Sequence, residues 1–128
     1  MPTPIRPERG RIIWAEFLDP QRRNKSPHPA VILTSREEIE NGDSIVVAVV
    51  STQYDLSEPK ERVDLPWDPR PGGHAVTKLN KRCAAICYWT EKIERSDILR
   101  YAGVVPAAQL GAILTLVREL ADDDSDAE

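Results

Sequence analysis

Ser44–Thr52 reads SIVVAVVST, a β-branched run without a charge in it. Such side chains are stiff at χ1 and pack best on a pleated, buried surface, so the run must be a central strand. The chain around it has to supply neighbours and covers. Arg11–Leu18 (RIIWAEFL) alternates in part between apolar and polar residues, and Ala30–Thr34 (AVILT) is a short continuous apolar run; both read as strands. Glu61–Leu65 (ERVDL) alternates and suits an edge. Ala75–Leu79 reads as a short extended piece and Cys83–Ile93 as another long buried strand.

The helical signals are few. Ser35 stands three residues before Glu38, a capping-box pattern for a short turn over Ser35–Glu40. Ser96 is expected to cap a short helical segment, SDILRYAG, closed by Gly103. Leu110, Ile113, Leu114, Val117 and Leu120 recur at spacings of three and four, which predicts an amphipathic helix over 106–120. Eleven prolines punctuate these elements rather than forming a tract. Five or six short strands with one terminal helix predict a mainly β (α+β) fold, a small antiparallel sheet bent towards a barrel. Residues 1–8 read as a loose lead-in, 9–120 as one domain and 121–128 as a disordered acidic tail.

The formal net charge of −4 conceals a local reversal. Asp122, Asp123, Asp124, Asp126 and Glu128 account for five of the 21 acidic residues, which leaves 16 against 17 bases in the body. From Arg6 to Lys25 there are six bases and three acids, a local positive patch of the kind that nucleic-acid binding needs. Cys83 and Cys87 lie four apart; in a strand that spacing puts them on one face about 13 Å apart, too far for a disulfide. They are expected to be core thiols of a protein in a reducing compartment. No signal-like apolar segment and no membrane-length apolar run is present, so a cytoplasmic protein is expected.

Glycine-rich phosphate loops, zinc spacings, HExxH and GxSxG are all missing from the sequence. Chemistry is left to His, Ser, Thr, Arg, Lys and carboxylates, with no metal or cofactor expected. The polar segment from Asp19 to Pro29 is read as a loop. Within it Arg22, Arg23 and Lys25 can neutralise phosphate, and Asn24 and Ser26 can donate hydrogen bonds; a plain solvated loop is the alternative. His28 sits between two prolines at the entry to a buried strand, which fixes its backbone, and a histidine can act as acid or base near neutral pH. Ser51 and Thr52 interrupt the apolar run at the end of the central strand. Each of these has an ordinary structural reading too.

The order of the blocks is more informative than any block alone. RGRIIWAEFLDP, a polar loop, a proline followed by AVILTS, then VVAVVSTQ, a Cys-containing strand that runs into EKIERSDI, and a Leu-rich terminal helix together resemble the PemK/MazF family, from Arg9 to about Leu120. The resemblance implies an SH3-like barrel with a C-terminal helix, usually a homodimer, that serves as the toxin of a type II toxin–antitoxin pair and inhibits growth. It implies metal-independent cleavage of single-stranded mRNA by attack of the ribose 2′-OH, with a 2′,3′-cyclic phosphate as product. It also implies a cognate antitoxin, expected to occupy the Asp19–Pro29 loop and the adjoining groove.

Carried onto this chain, the family's catalytic Arg falls on His28 and its catalytic Thr on Ser51, with Thr52 the register alternative. RNA contacts are expected from Arg22, Arg23, Asn24, Lys25, Ser26 and Gln53. A polar pair that some members carry falls on Ile86 and Tyr88, which hold no charge. Tyr88 and Trp89 could stack a base instead, or belong to the core. His28 could act as a cation beside the phosphate or, when neutral, as the base for the 2′-OH. Three functions remain open: a ribonuclease toxin, a family member that binds RNA or a partner without cutting, and a toxin that inhibits a protein target such as gyrase.

Overall fold

The run that dominates the sequence becomes the third strand of a six-stranded antiparallel half-barrel. The computed structural model describes residues 6–18, 23–52 and 61–126, with side chains to residue 121. The strands are β1 (Arg11–Leu18), β2 (Lys25–Ile32), β3 (Ile45–Ser51), β4 (Arg62–Leu65), β5 (Cys83–Ile93) and β6 (Arg100–Val104); the helices are α1 (Arg36–Glu40) and α2 (Ala107–Asp126). Their order across the sheet is β4-β5-β3-β2-β1-β6, so β3 is interior and β4 is an edge, as expected.

Alternation explains the two layers of core. Ile13, Ala15 and Phe17 of β1, Ala30 and Ile32 of β2, and Val47 and Val49 of β3 pack on one face with Ile86, Trp89 and Ile93. Ile12, Val31, Ala48 and Val50 face the other way, where Leu110, Ile113, Leu114 and Val117 of α2 cover them. Both faces of the central strands are therefore dry. Each fully buried Ile or Val contributes roughly 1.5–3 kcal/mol relative to exposure, and these residues carry most of the stability. Cys83 and Cys87 are free and buried, as the spacing predicted. Burial pushes the Cys83 thiol up to about 11, helped by the charge of Asp64, and the Cys87 thiol up to about 12.

Gly10 shows why the first strand starts where it does. Its φ of +89° is a left-handed conformation, and a Cβ there would stand 3.0 Å from Leu110 of α2. Its N–H donates to Ile32 O and its carbonyl accepts from Val105 N, so one residue ties β2, the end of β6 and α2 to the start of β1.

Four sequence expectations change. The polar segment is not a loop as far as Pro29: β2 begins at Lys25 and pairs along β1 from Leu18↔Lys25 to Ile12↔Val31. Residues before proline are biased to extended backbone, so Ser26-Pro27 and His28-Pro29 favour the strand they were expected to delay. The segment SDILRYAG is not helical. Only Arg95–Asp97 forms a 3-10 turn, and Arg100–Val104 becomes β6, because the open edge of β1 offers Arg11↔Val104 and Trp14↔Arg100 pairing. Residues 75–79 turn rather than extend, with Lys78 at φ +63°. Finally, α2 continues past Leu120 to Asp126.

The turning segment after β4 is nonetheless fixed. The N–H groups of Gly103 and Val104 donate to the carbonyls of Thr77 and Val76. The fully buried Thr77 donates its hydroxyl to Pro66 O at 2.8 Å and accepts from Leu79 N. A Cβ on Gly103 would stand 1.9 Å from Val76 O. Gly103→Ala is therefore expected to cost about 1–3 kcal/mol by overpacking. Chemical denaturation checks this, and an unchanged midpoint would show that the 76–77 segment does not dock on β6.

Candidate nucleic-acid interface

Pro27 and Pro29 set the geometry of the site. Ile32 O accepts from Gly10 N on the β1 side of β2, while Leu33 N donates to Val46 O on the β3 side. Backbone groups alternate sides along a strand, so Ala30 and His28 turn theirs towards β1, and Pro29 and Pro27 turn theirs towards β3. Proline has no N–H to give. Pairing of β2 with β3 accordingly covers only Ala30↔Val49, Val31↔Ala48 and Ile32↔Val47, and the strands part beyond it.

A cleft of about 880 Å³ lies at this parting. Pro27, His28 and Pro29 border it from β2, Val50, Ser51 and Thr52 from the end of β3, and Trp14, Arg100 and Tyr101 from β1 and β6; the segment around Lys78–Lys81 also lines it. Among the described residues its lining includes the cations Lys78, Lys81 and Arg100 and no carboxylate. That charge balance suits a polyanion.

His28 and Ser51 share one face. Continuing the register of Ala30↔Val49 by two residues on each strand sets His28 across from Ser51. The core agrees: Ser51 pairs with Ala84 of the first core layer, and the His28 ring lies against Trp89 of the same layer, at 5.3 Å between centroids and nearly edge-on. His28 Nε2 and Ser26 Oγ are 3.1 Å apart. Ser51 is only 7% exposed and has a partner of its own. Thr52, the register alternative, is exposed at the bend just past the end of β3.

Burial lowers the His28 pKa from its ordinary 6.5, since desolvation disfavours the imidazolium. No acidic neighbour contributes to the shift. The ring is thus neutral at pH 7, with a nitrogen available to accept a proton.

The remaining expected contacts fall in different places. Arg23, Asn24, Lys25 and Ser26 are exposed at and before the start of β2. Arg22 and Gln53 lie outside the described residues, as do 19–21 of the segment expected to take an antitoxin. Tyr88 is 57% exposed, on a stretch where β5 bulges between its pairings Thr90↔Ala48 and Ala85↔Val50. Trp89, expected as a stacking platform for a base, is buried at 9% exposure and packs against His28. A ring so covered has no face for a base; it supports the histidine instead. Trp14, Lys78, Lys81 and Arg100 were not singled out from sequence. Ile98–Val104 (ILRYAGV) has no apolar–polar alternation to mark β6 or Arg100, and the Ser96 cap pattern pointed to a helical segment there.

With this geometry in place, the comparisons define the class. The profile of the PemK-like, MazF-like toxins of type II toxin–antitoxin systems matches residues 8–121, so the chain belongs to that family. No curated protein matches it. Three solved structures share the fold. The Mycobacterium tuberculosis toxin MazF-mt6 superposes with a TM-score of 0.67 at 21% identity, covering 88% of this chain and 96% of that one. A mycobacterial endoribonuclease in complex with its cognate antitoxin gives 0.66 at 16% identity over 91% and 96%. The MazE–MazF complex of Deinococcus radiodurans gives 0.67 at 17% identity, with the same coverage.

The lowered pKa has a sign that can be checked. Folded His28 binds its proton less readily than the unfolded chain does, so its neutral burial contributes stability above pH 6.5. That contribution is lost as pH falls from 6.5 towards the folded midpoint. An NMR titration should place the His28 midpoint below 6.5, and Trp89→Leu, which uncovers the ring, should raise it. A midpoint at or above 6.5 would contradict the burial argument.

Proposed function

We propose that this protein is the toxin of a type II toxin–antitoxin pair and cleaves single-stranded mRNA without a metal ion. The observation that carries the proposal is that His28 and Ser51 line one cleft, on the same face by strand alternation, with no carboxylate in its lining among the described residues. In the reaction the 2′-oxygen bonds to phosphorus and the bond from phosphorus to the 5′-oxygen breaks. The products are a 2′,3′-cyclic phosphate and a 5′-OH end.

The lowered pKa favours one of the two roles open to His28. A neutral imidazole is a poor phosphate cation and a competent base, so His28 takes the 2′-OH proton, and the departing 5′-oxygen takes a proton from solvent water. The Ser51 hydroxyl donates to a phosphoryl oxygen as charge builds on it. Ser26, 3.1 Å from Nε2, orients the ring. Arg23, Asn24 and Lys25 stand exposed nearby to hold the RNA backbone, and Tyr88 is the aromatic left to stack on a base. Arg22 and Gln53 are further expected RNA contacts, and Thr52 is the register alternative to Ser51 as the catalytic hydroxyl.

An antitoxin supplies the natural inhibitor. A cleft with three cations and no carboxylate among the described residues suits an acidic antitoxin segment as well as RNA, and the two would compete. The family resemblance supports a homodimer. Both RNA and antitoxin place the action in the cytoplasm, and no helix among the described residues is long and apolar enough to cross a membrane. A second reading, RNA binding without cutting, is favoured by one observation: the position where the family's Arg falls holds His28, a half-buried ring whose pKa is lowered, in place of a fixed cation.

Incubation of the pure protein with single-stranded RNA in EDTA separates these readings. Cyclic-phosphate products are expected, with His28→Ala and Ser51→Ala each at least about 100-fold slower. Activity should fall with acid through a midpoint below 6.5, since the neutral ring is the active form. Tight binding with no products from the wild type would leave the non-cutting reading, and growth arrest without any RNA effect would point to a protein target.

A further inference from the structure

Arg100 is the best-placed fixed cation of the cleft, and the expected chemistry does not use it. Trp14 of β1 pairs with Pro29 of β2 on one side and Arg100 of β6 on the other, so the three form a row across adjacent strands on one face. The Arg100 guanidinium lies 4.5 Å from the centroid of the Trp14 ring. A cation over an aromatic face is held in place without losing its charge. Among the described residues no carboxylate pairs with Arg100, in contrast to Arg11, Arg36, Arg62 and Arg70, which each bond an acid. An exposed arginine that is positioned, unneutralised and in a cleft whose described lining holds no carboxylate is arranged to meet an anion.

Its place in the row decides which anion. Two strand spacings of ~4.8 Å put Arg100 roughly 10 Å from Pro29. It also lies on the face opposite His28 and Ser51, reached where β2 and β3 part. A group so placed is out of contact with a phosphorus held between His28 and Ser51, but within reach of the phosphate of a neighbouring nucleotide. We infer that Arg100, stacked on Trp14, is a binding subsite for a phosphate flanking the cleaved bond, so that the RNA strand crosses the parting of β2 and β3 with its reacting phosphate on one face and its next phosphate on the other. This rests on the proposal that the cleft takes RNA. Arg100 is then a binding residue, distinct in effect from the pair that does the chemistry.

The salt dependence of binding reads that role directly. Single-stranded RNA carrying a 2′-O-methyl group at every ribose, which blocks cleavage, is titrated with wild type, Arg100→Gln and Arg100→Lys at several salt concentrations. Far-UV circular dichroism confirms that each variant folds; Arg100→Gln keeps most of the stem over Trp14. Loss of one phosphate contact should lower the slope of log K against log salt by about 0.7 in Arg100→Gln, while Arg100→Lys keeps the wild-type slope. With cleavable RNA, Arg100→Gln should raise KM and leave kcat within about twofold. An unchanged slope, or a loss confined to kcat, overturns the assignment of Arg100 and leaves the RNA proposal standing. If the wild type binds no RNA, the RNA proposal fails and this inference fails with it.

Discussion

Pro27 and Pro29 lack the N–H groups that β2 would otherwise turn towards β3, and the rest of the site follows from that lack. The ladder between the two strands stops at Ala30↔Val49, and Pro27 and Pro29 leave no unmet donor on β2 where the strand ends separate. The parting exposes the ends of β2 and β3, which are covered on both faces where they pair. Side chains that alternation would keep on opposite sides, His28 and Ser51 on one and Trp14 and Arg100 on the other, come to border the same cleft. The prolines also stiffen the backbone on either side of His28, so its ring is held by Trp89 beneath and Ser26 beside it.

Burial and charge divide the labour in this cleft. His28 is partly withdrawn from water, and its proton is loosened by that withdrawal rather than by a neighbouring charge. A permanent cation in the same place would do the reverse, staying charged and holding phosphate. In the proposed reaction the chain separates those tasks: a titratable imidazole on the Trp89 face, and fixed positive charge at Arg100, Lys78 and Lys81 around the cleft. The negative formal charge of the whole chain says little about this, because the acids that produce it are concentrated at the C-terminal end.

Much of the fold was legible in the sequence because strand periodicity is a local signal. β3, β4 and β5 lie close to where their apolar patterns put them, and Ser35 caps α1 by accepting from Glu38 N. The failures share a cause. SDILRYAG has a local cap signal for a helix, yet the unpaired edge of β1 recruits it as β6, an interaction no window of that segment contains. The prolines around His28 read as punctuation, although extended backbone is what they favour. The site divides in the same way. His28 and Ser51 were found from block order, whereas Arg100 and the Lys78–Lys81 segment reach the cleft only through long-range pairing with Trp14 and Gly103. Of the two readings left open for Trp89, the structure takes the core one, next to the irregularity in β5 pairing that its sequence does not announce.

The central claim is that the cleft at the parting of β2 and β3 is where RNA binds. Backbone and indole NMR shifts of the full chain, followed during titration with a 2′-O-methylated single-stranded RNA, test it most directly. The account predicts saturable shifts at Ser26, His28, Ser51, Thr52 and Arg100 and at the Trp14 indole, with Glu40 and Asn41 beside α1 unmoved. Shifts that spare these cleft residues and gather on another surface would contradict it.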